Sequence, residues 1–333
     1  MRKVLIIDGG KPCNRFTAHS HNFITHDGEE PAVIAEKAKA QVLAYPSIQF
    51  QEDLAIKASR QKNHFEIDCA SGTIYRAKKL LFATGVKDLM PDIPGFANCW
   101  GKSIIHCPYC HGYEVKQAKT GILAAGDVAI HYAQLISNWT ADLSIYSNGP
   151  SGLKPDQLAL LDKHQIPVIE KEIAAFDEEK GQLKHILFKD GSNQSIEAIY
   201  SKPSFEQHCP LPASLACQLN EQGLLEVDFM QRTTQPHIYA CGDSASPFRA
   251  VSYAVASGSI AGAVINNDLI EELQCQQNEL SSLDLTNNLA LTTLFCGANS
   301  NLSCIDVSDP DVAAILWTVE GGNIDYGMSF AII

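Results

Sequence analysis

Cys107-Pro108-Tyr109-Cys110-His111-Gly112-Tyr113-Glu114 is the stretch on which the reading of this 333-residue chain turns. Two cysteines separated by two residues can cycle between dithiol and disulfide. At a helix N-terminus, or beside a cationic group, one of them is held as a reactive thiolate. Just downstream, Gly121 to Asn138 reads strand, small-residue turn, helix, which joins the pair to a nucleotide-type fold. The rival explanation is half of a zinc site. A structural zinc site calls for a second ligand pair at matching spacing. His106 and His111 are adjacent, but no second Cys-x-x-Cys exists, so no metal is expected.

Working outward, Val4 to Ile7 is a short apolar strand that ends at Asp8-Gly9-Gly10, and Lys11 to Gly28 is a polar loop. Pro31 to Tyr45 carries Val33, Ile34, Ala38 and Val42 at helical spacing, with Pro31 suited to the first turn. Ile48 to Leu80 alternates and contains turn signals such as Ser71-Gly72, which predicts a β-meander. Leu80 to Ala83 is a strand stopped by Thr84-Gly85, and Pro91 to Gly95 is a linker. Beyond the cysteines come a strand at Thr120–Leu123, a helix from about Asp127 to Asn138, and a strand at Leu143–Tyr146. Ile166 to Phe188 alternates in strand fashion. Ile238 to Ala240 is a strand that leads through Cys241-Gly242-Asp243 into a small-residue helix, Val251 to about Leu273. After Cys275 the chain is rich in Asn, Ser and Leu, and neither a periodicity nor a solenoid-type repeat is read there.

The net charge of −13 excludes the basic patches that nucleic acid or an anionic membrane requires. No uncharged apolar run approaches the ~18 residues of a membrane span. Only four apolar residues precede Asp8, so the N-terminus reads as a strand rather than a signal peptide. Eleven cysteines without a secretory signal predict a cytoplasmic protein with most thiols free. Cys13, Cys69, Cys99, Cys209, Cys217 and Cys241 are isolated and read as small buried hydrophobes.

Four blocks, in order, resemble the low-molecular-weight thioredoxin-reductase-like family of FAD-dependent oxidoreductases. They are Val4-Leu5-Ile6-Ile7-Asp8, Ala83-Thr84-Gly85 with Pro94-Gly95, the Cys107/Cys110 pair, and Tyr239-Ala240-Cys241-Gly242-Asp243 with Arg249-Ala250-Val251. The resemblance implies an α/β fold of two doubly wound, Rossmann-like nucleotide-binding domains, the second inserted in the first. The FAD domain would comprise 1–90 and 200–273, the NAD(P) domain with the redox pair 91–199, and 274–333 would be a tail of unknown structure. In such a protein Cys110 lies next to the flavin and Cys107 exchanges with the substrate, a small-molecule or protein thiol or disulfide. Asp8 accepts from the FAD ribose hydroxyls. Gly10, Asn14, Arg15, Thr84, Gly85, Gly126, Gly242, Asp243, Arg249, Ala250 and Val251 fall at the remaining cofactor-binding positions, and family members are commonly homodimers. Many thioredoxin reductases place an acid after the second cysteine as proton donor. His111 stands there instead, similar to the small-molecule dithiol oxidases of the same superfamily.

Two departures qualify the resemblance. The nucleotide fingerprint Gly-x-Gly-x-x-Ala reads here Ala124-Ala125-Gly126-Asp127-Val128-Ala129, with Asp127 set to face a pyrophosphate. Tyr146-Ser147-Asn148-Gly149 offers neither the acid for an NAD ribose nor arginines for a 2′-phosphate. The family's NADPH site is therefore weakened, as it would be in an oxidase that works without pyridine nucleotide. The family also begins one βα unit earlier, with a glycine-rich loop, whereas this chain starts at the acid-ended strand. That unit is roughly 25–30 residues long. Without it, apolar faces and unpaired backbone are expected beside Val4–Asp8. Three functions compete: an NAD(P)H-driven disulfide oxidoreductase, a dithiol oxidase using oxygen, and a non-catalytic truncated remnant kept as a binding module.

Overall fold

The computed structural model describes residues 2–270, 272–289, 291–318, 324 and 329–331. The first elements are β1 (Val4–Asp8), α1 (Pro31–Leu43), β2 (Ile48–Glu52), β3 (Ala55–Arg60), β4 (Phe65–Cys69), β5 (Ile74–Ala77), β6 (Leu80–Phe82) and β7 (Val86–Leu89). Next come α2 (Phe96–Cys99), β8 (Ile104–Ile105), α3 (Pro108–His111), β9 (Thr120–Leu123), α4 (Gly126–Ile136), β10 (Leu143–Tyr146), α5 (Pro155–Lys163) and β11 (Val168–Ile169). They are followed by β12 (Ile173–Glu179), β13 (Gln182–Phe188), β14 (Asn193–Ser195), β15 (Ala198–Ser201), β16 (Ser204–Gln207), α6 (Leu211–Ser214), β17 (Ile238–Ala240) and α7 (Val251–Asn267). The last are β18 (Glu272–Gln274), β19 (Leu283–Asp284), β20 (Thr293–Phe295), β21 (Cys304–Asp306), α8 (Pro310–Leu316) and β22 (Ser329–Ala331).

The largest sheet is five-stranded, ordered β11-β10-β9-β15-β8, and its pairings are parallel. All four residues of β10 and of β15 are buried, as parallel strands covered on both faces must be. Helix α4 turns Ala129, Tyr132, Ala133 and Ile136 inward, the helical spacing of one face, and packs them with Ile122, Leu143, Ile145 and Leu161. A side chain at Gly121 would meet the Tyr146 ring at 2.8 Å, so only glycine admits that ring between the central strands. On the other face, Phe96, Trp100, Phe176, Ile186 and Phe188 form a second core with the antiparallel β12–β14 sheet.

Around this unit the other strands pair locally. β1 pairs in parallel with β2, and β17 with β6. β3, β4 and β5 form an antiparallel meander, and β7 and β16 pair antiparallel. No residue of α1 is buried, and an open groove of about 720 Å³ is lined by Ile6, Asp8, Gly10, Val42 and Phe50. Ile6, Val42 and Phe50 thus present apolar surface to the groove beside β1.

Three readings are corrected. Residues 48–52 leave the expected meander and extend β1 in parallel. The helix expected to reach Leu273 stops at Asn267. There the Asp268 side chain turns inward, accepting from Tyr239 Oη at 2.6 Å and Arg232 Nη2 at 3.1 Å. The tail is also periodic. Leu273 pairs in register with Leu294, and Leu283 with Ile305 and then Phe330, around a core of Leu285, Leu291, Leu294, Cys296, Leu302, Ile305, Val307 and Trp317. Of that tail, 290, 319–323, 325–328 and 332–333 lie outside the described residues. Among the described residues no helix is long and apolar enough to cross a membrane.

Candidate active site

Cys107 is the N-cap of α3, and Pro108 occupies the first helical position, where its missing N–H costs nothing. The Cys107 sulfur takes the role usually filled by a Ser or Asp oxygen and accepts from Cys110 N at 3.2 Å. The Cys110 thiol lies directly against the Cys107 sulfur, and neither cysteine is joined to another. That thiol donor is the main reason Cys107 ionises more readily than an ordinary cysteine. The backbone N–H groups of Cys110 and Tyr109 and the charge of Arg249 add to it, while burial opposes. Cys110 is pushed the other way by the same bond and by burial. The two thiols are thus pulled in opposite directions, and Cys107 is the more readily ionised of the pair. The loop is pinned by Tyr132 Oη, which donates to His106 O at 2.8 Å. At Gly112 any side chain would collide with Pro108 O and the Trp139 ring.

Beside the pair lies a small cavity of about 80 Å³ whose lining includes Cys13, Asn14, His106, His111, Asp243 and Arg249. Arg249 makes a two-pronged ion pair with Asp88, at 2.8 and 3.0 Å, and the Asp88 side chain is only 5% exposed. Arg249 Nη2 also donates to Cys13 Sγ at 3.2 Å, and its Nε stands 3.9 Å from Asp243. Burial raises the Asp243 carboxyl and the Cys13 thiol, and Arg249 partly offsets both. Arg249 Nε and His106 Nε2 are both buried without a hydrogen-bond partner. Burial, helped by Arg249, lowers His106 to about 4, so its imidazole is neutral at pH 7. His111 is also lowered by burial, against the pull of Glu114, which itself pairs with His21 at 3.0 Å.

The predicted site residues are thus distributed over several places. Cys107, Cys110, His111, Asn14, Asp243 and Arg249 gather around the redox loop. Asp8 and Gly10 lie at the open groove, where Asp8 Oδ1 accepts from Gly10 N at 2.8 Å. Ala250 and Val251 are the N-cap and first residue of α7, with no side-chain cap on its free amides. Gly242 turns with φ +71° and donates to Ser257 Oγ at 3.0 Å. Thr84 and Gly85 follow β6, and their carbonyls are met by His208. Thr84 Oγ1 is buried without a partner. Arg15 lines neither cavity: its guanidinium donates to Pro12 O at 2.8 Å and covers the Phe16 ring. Sequence reasoning missed Asp88, His106 and Cys13. Cys13 was expected to be an inert hydrophobe, yet its sulfur faces a guanidinium.

At the nucleotide-type turn, Gly126 N already donates to Ser151 O at 2.8 Å. Asp127, in the first turn of α4, accepts from Gln157 Nε2 at 2.8 Å. An amide that would cradle a phosphate is therefore spent on the protein itself, and the acid beside it repels anions.

A sheet of nucleotide-binding type with a free thiol pair at its edge defines a disulfide oxidoreductase. The chain belongs to the pyridine nucleotide-disulphide oxidoreductase family, which matches residues 2–258. It is 29% identical over 294 residues to the thioredoxin reductase tcpT of Claviceps purpurea, covering 83% of this chain and 90% of that one. Among solved structures it is similar to a putative thioredoxin reductase, TrxB, of Bacillus anthracis, at 31% identity and TM-score 0.76, covering 80% of this chain and 90% of that one. It is also similar to an oxidoreductase of Agrobacterium tumefaciens, at 32% identity and TM-score 0.74, covering 79% and 88%. The α/β fold with two nucleotide-type domains, expected from the sequence, is the fold of these neighbours, and the chain is an enzyme of the thioredoxin-reductase-like kind.

Proposed function

We propose that this chain is an FAD-linked dithiol–disulfide oxidoreductase whose Cys107–Cys110 pair exchanges electrons with an external small-molecule or protein thiol or disulfide. One observation carries the reading: the Cys107 sulfur caps the N-terminus of α3, accepts from Cys110 N at 3.2 Å and lies against the Cys110 thiol, which together draw its pKa down. In the reducing direction Cys107 attacks a substrate disulfide and forms a mixed disulfide as the first substrate thiolate leaves. Cys110 then loses its proton and attacks Cys107, which closes the protein disulfide and releases the second substrate thiolate. Two electrons pass from the pair to the substrate. His111, the next residue in the chain, would take that proton, although burial makes its imidazole a weaker base than usual. Run backwards, the same steps oxidise a dithiol.

The residues present fit a flavin. His106 Nε2 and Arg249 Nε are buried polar atoms without partners in a cavity beside the thiols, and Asp8 presents its carboxylate at a wide groove. Asp8, Gly10 and Asn14 would hold the nucleotide end, and Thr84, Gly85, Gly242 and Asp243 the middle. Arg249, Ala250 and Val251 would meet the ring. Bound FAD would supply the two-electron acceptor or donor that restores the pair. The protein is proposed to be cytoplasmic, in line with eleven free cysteines, and to work as a homodimer as family members commonly do.

A second reading, a dithiol oxidase with oxygen as acceptor, is favoured by the occupied Gly126 amide. The deciding experiment uses purified protein with FAD added. Oxygen uptake with a dithiol is set against NADPH-driven disulfide reduction, in wild type and in Cys107→Ser. Cys107→Ser should keep the visible flavin spectrum and lose turnover in whichever assay is active. Turnover that survives in Cys107→Ser would sink the proposal.

A further inference from the structure

We infer that the described residues of 270–307 form a solenoid of leucine-rich-repeat type, and that the sheet face carrying Asp284 and the half-buried Asp306 docks a basic polypeptide. The repeat is legible once the strands are seen. Leucine-rich repeats follow Leu-x-x-Leu-x-Leu-x-x-Asn with periods of about 20–29 residues. The chain reads Ile270-x-x-Leu273-x-Cys275-x-x-Asn278, then Leu280-x-x-Leu283-x-Leu285-x-x-Asn288, then Leu291-x-x-Leu294-x-Cys296-x-x-Asn299, then Leu302-x-x-Ile305-x-Val307. These units recur every 10–11 residues, so two of them make one coil of 21–22 residues, and alternate units stack. β18 pairs in parallel with β20, while β19 pairs with β21 and β21 with β22. The repeat positions point inward into one shared core with Trp317.

Asn299 has the role expected of the repeat asparagine. It is 1% exposed and ties one coil to the next. Its Oδ1 accepts from Asn278 N and Leu280 N, both at 3.0 Å, and its Nδ2 donates to Cys275 O at 2.9 Å and Cys296 O at 2.6 Å. Four directional bonds to one buried side chain fix the coil spacing. The family match ends at residue 258, before this unit begins.

Solenoids of this kind bind through their regular surfaces. Here the face of β19–β21–β22 sets Asp284 in register beside Asp306, and Asp306 beside Ala331. Neighbouring strands lie about 4.8 Å apart, so the two carboxylates stand close enough to repel. No Lys, Arg or His occurs anywhere after Arg249, whereas nine Asp and Glu follow Asp268. The unit therefore has no cation of its own to relieve the pair. A second copy would bring the same acidic face and be repelled. A segment rich in Lys or Arg is complementary to it and would be drawn in by the field. Asp284 Oδ1 also accepts from Thr286 N and Oγ1, an acceptor role that asparagine preserves.

The test uses the full-length chain and a fluorescent ten-lysine peptide, read by anisotropy. Asp284→Asn with Asp306→Asn should weaken binding about tenfold. A matched loss of two exposed acids on the oxidoreductase, Asp162→Asn with Glu221→Gln, should change it less than about twofold. Ala331→Lys places a cation beside Asp306 without touching either carboxylate, and should weaken the peptide as the first pair does. Equal loss in the control pair would reduce the effect to the general attraction of an acidic chain and overturn the docking face. No binding by wild type would overturn it as well.

Discussion

Replacing Cys110 is the sharpest probe of how Cys107 becomes a nucleophile. In Cys110→Ala the backbone N–H of residue 110 still reaches the Cys107 sulfur, but the thiol beside that sulfur is gone. A hydrogen bond to a charged acceptor is worth about 1.5–3 kcal/mol. At about 1.4 kcal/mol per pH unit, its loss should raise the Cys107 pKa by about one to two units. Cys110→Ser keeps an O–H donor at the same position and should recover most of that shift. The assay is the rate of iodoacetamide modification at Cys107, followed by peptide mass over a pH series, because only the thiolate reacts. The wild type carries two thiols at the site, so the Ala and Ser variants are compared with each other. If their inflections coincide within a few tenths of a unit, the thiol donor is not what holds Cys107 ionised. The amides and Arg249 would then carry the effect.

Three further outcomes follow from the geometry. Arg249→Met leaves the buried Asp88 carboxylate unpaired and should cost about 3–5 kcal/mol in urea unfolding, whereas Asp88→Leu with Arg249→Met should cost less than either single change; additive losses would refute a coupled pair. His106 titrates near 4 when folded and near 6.5 when unfolded, so the unfolded chain takes up the proton first. Stability is full above about pH 6.5 and falls by about 3 kcal/mol as pH drops towards 4, and His106→Gln should flatten that limb of the unfolding curve. Asn299→Ala removes four buried hydrogen bonds and should cost about 2–4 kcal/mol. Hydrogen exchange should place that loss in residues 270–307 and leave Cys107 modification unchanged.

The elements legible in the sequence were those whose chemistry is local. β9, β10 and β17 are short apolar or small runs bounded by turn residues, and the structure places them where the pattern did. Two cysteines one helical turn apart announce themselves. Arg249 meets Asp88 across 161 positions and Cys13 across 236, and no local pattern encodes such a meeting. Cys13 looked inert because isolation in sequence says nothing of the guanidinium that folding brings to it. The tail's period was hidden because Cys275 and Cys296 stand at leucine positions and Ile305 and Val307 replace two more. Its loops, rich in Asn and Ser, resemble unstructured chain until the buried Asn299 gives them a purpose. Arg15, placed at the site by its position in a motif, rests its guanidinium on Pro12 O and the Phe16 ring.

The thiol end and the nucleotide end of this molecule are finished to different degrees. At the thiol end a cap, a proline, a tyrosine hydroxyl and a glycine that admits no substitute all hold one sulfur as an acceptor and its neighbour as a donor. A remnant kept only for binding would gain nothing from dividing the pair in this way. At the nucleotide end the amide of Gly126 is turned onto Ser151 and an aspartate stands in the first helical turn, so a dinucleotide phosphate would have to break one contact and face a like charge. Either obstacle alone costs little, but both act on the same few ångströms. The balance favours electrons entering at the thiols. Reduction of bound flavin by a dithiol should therefore outpace its reduction by NADPH under anaerobic conditions. A faster NADPH reaction would return the chain to the reductase direction and require Ser151 to move aside.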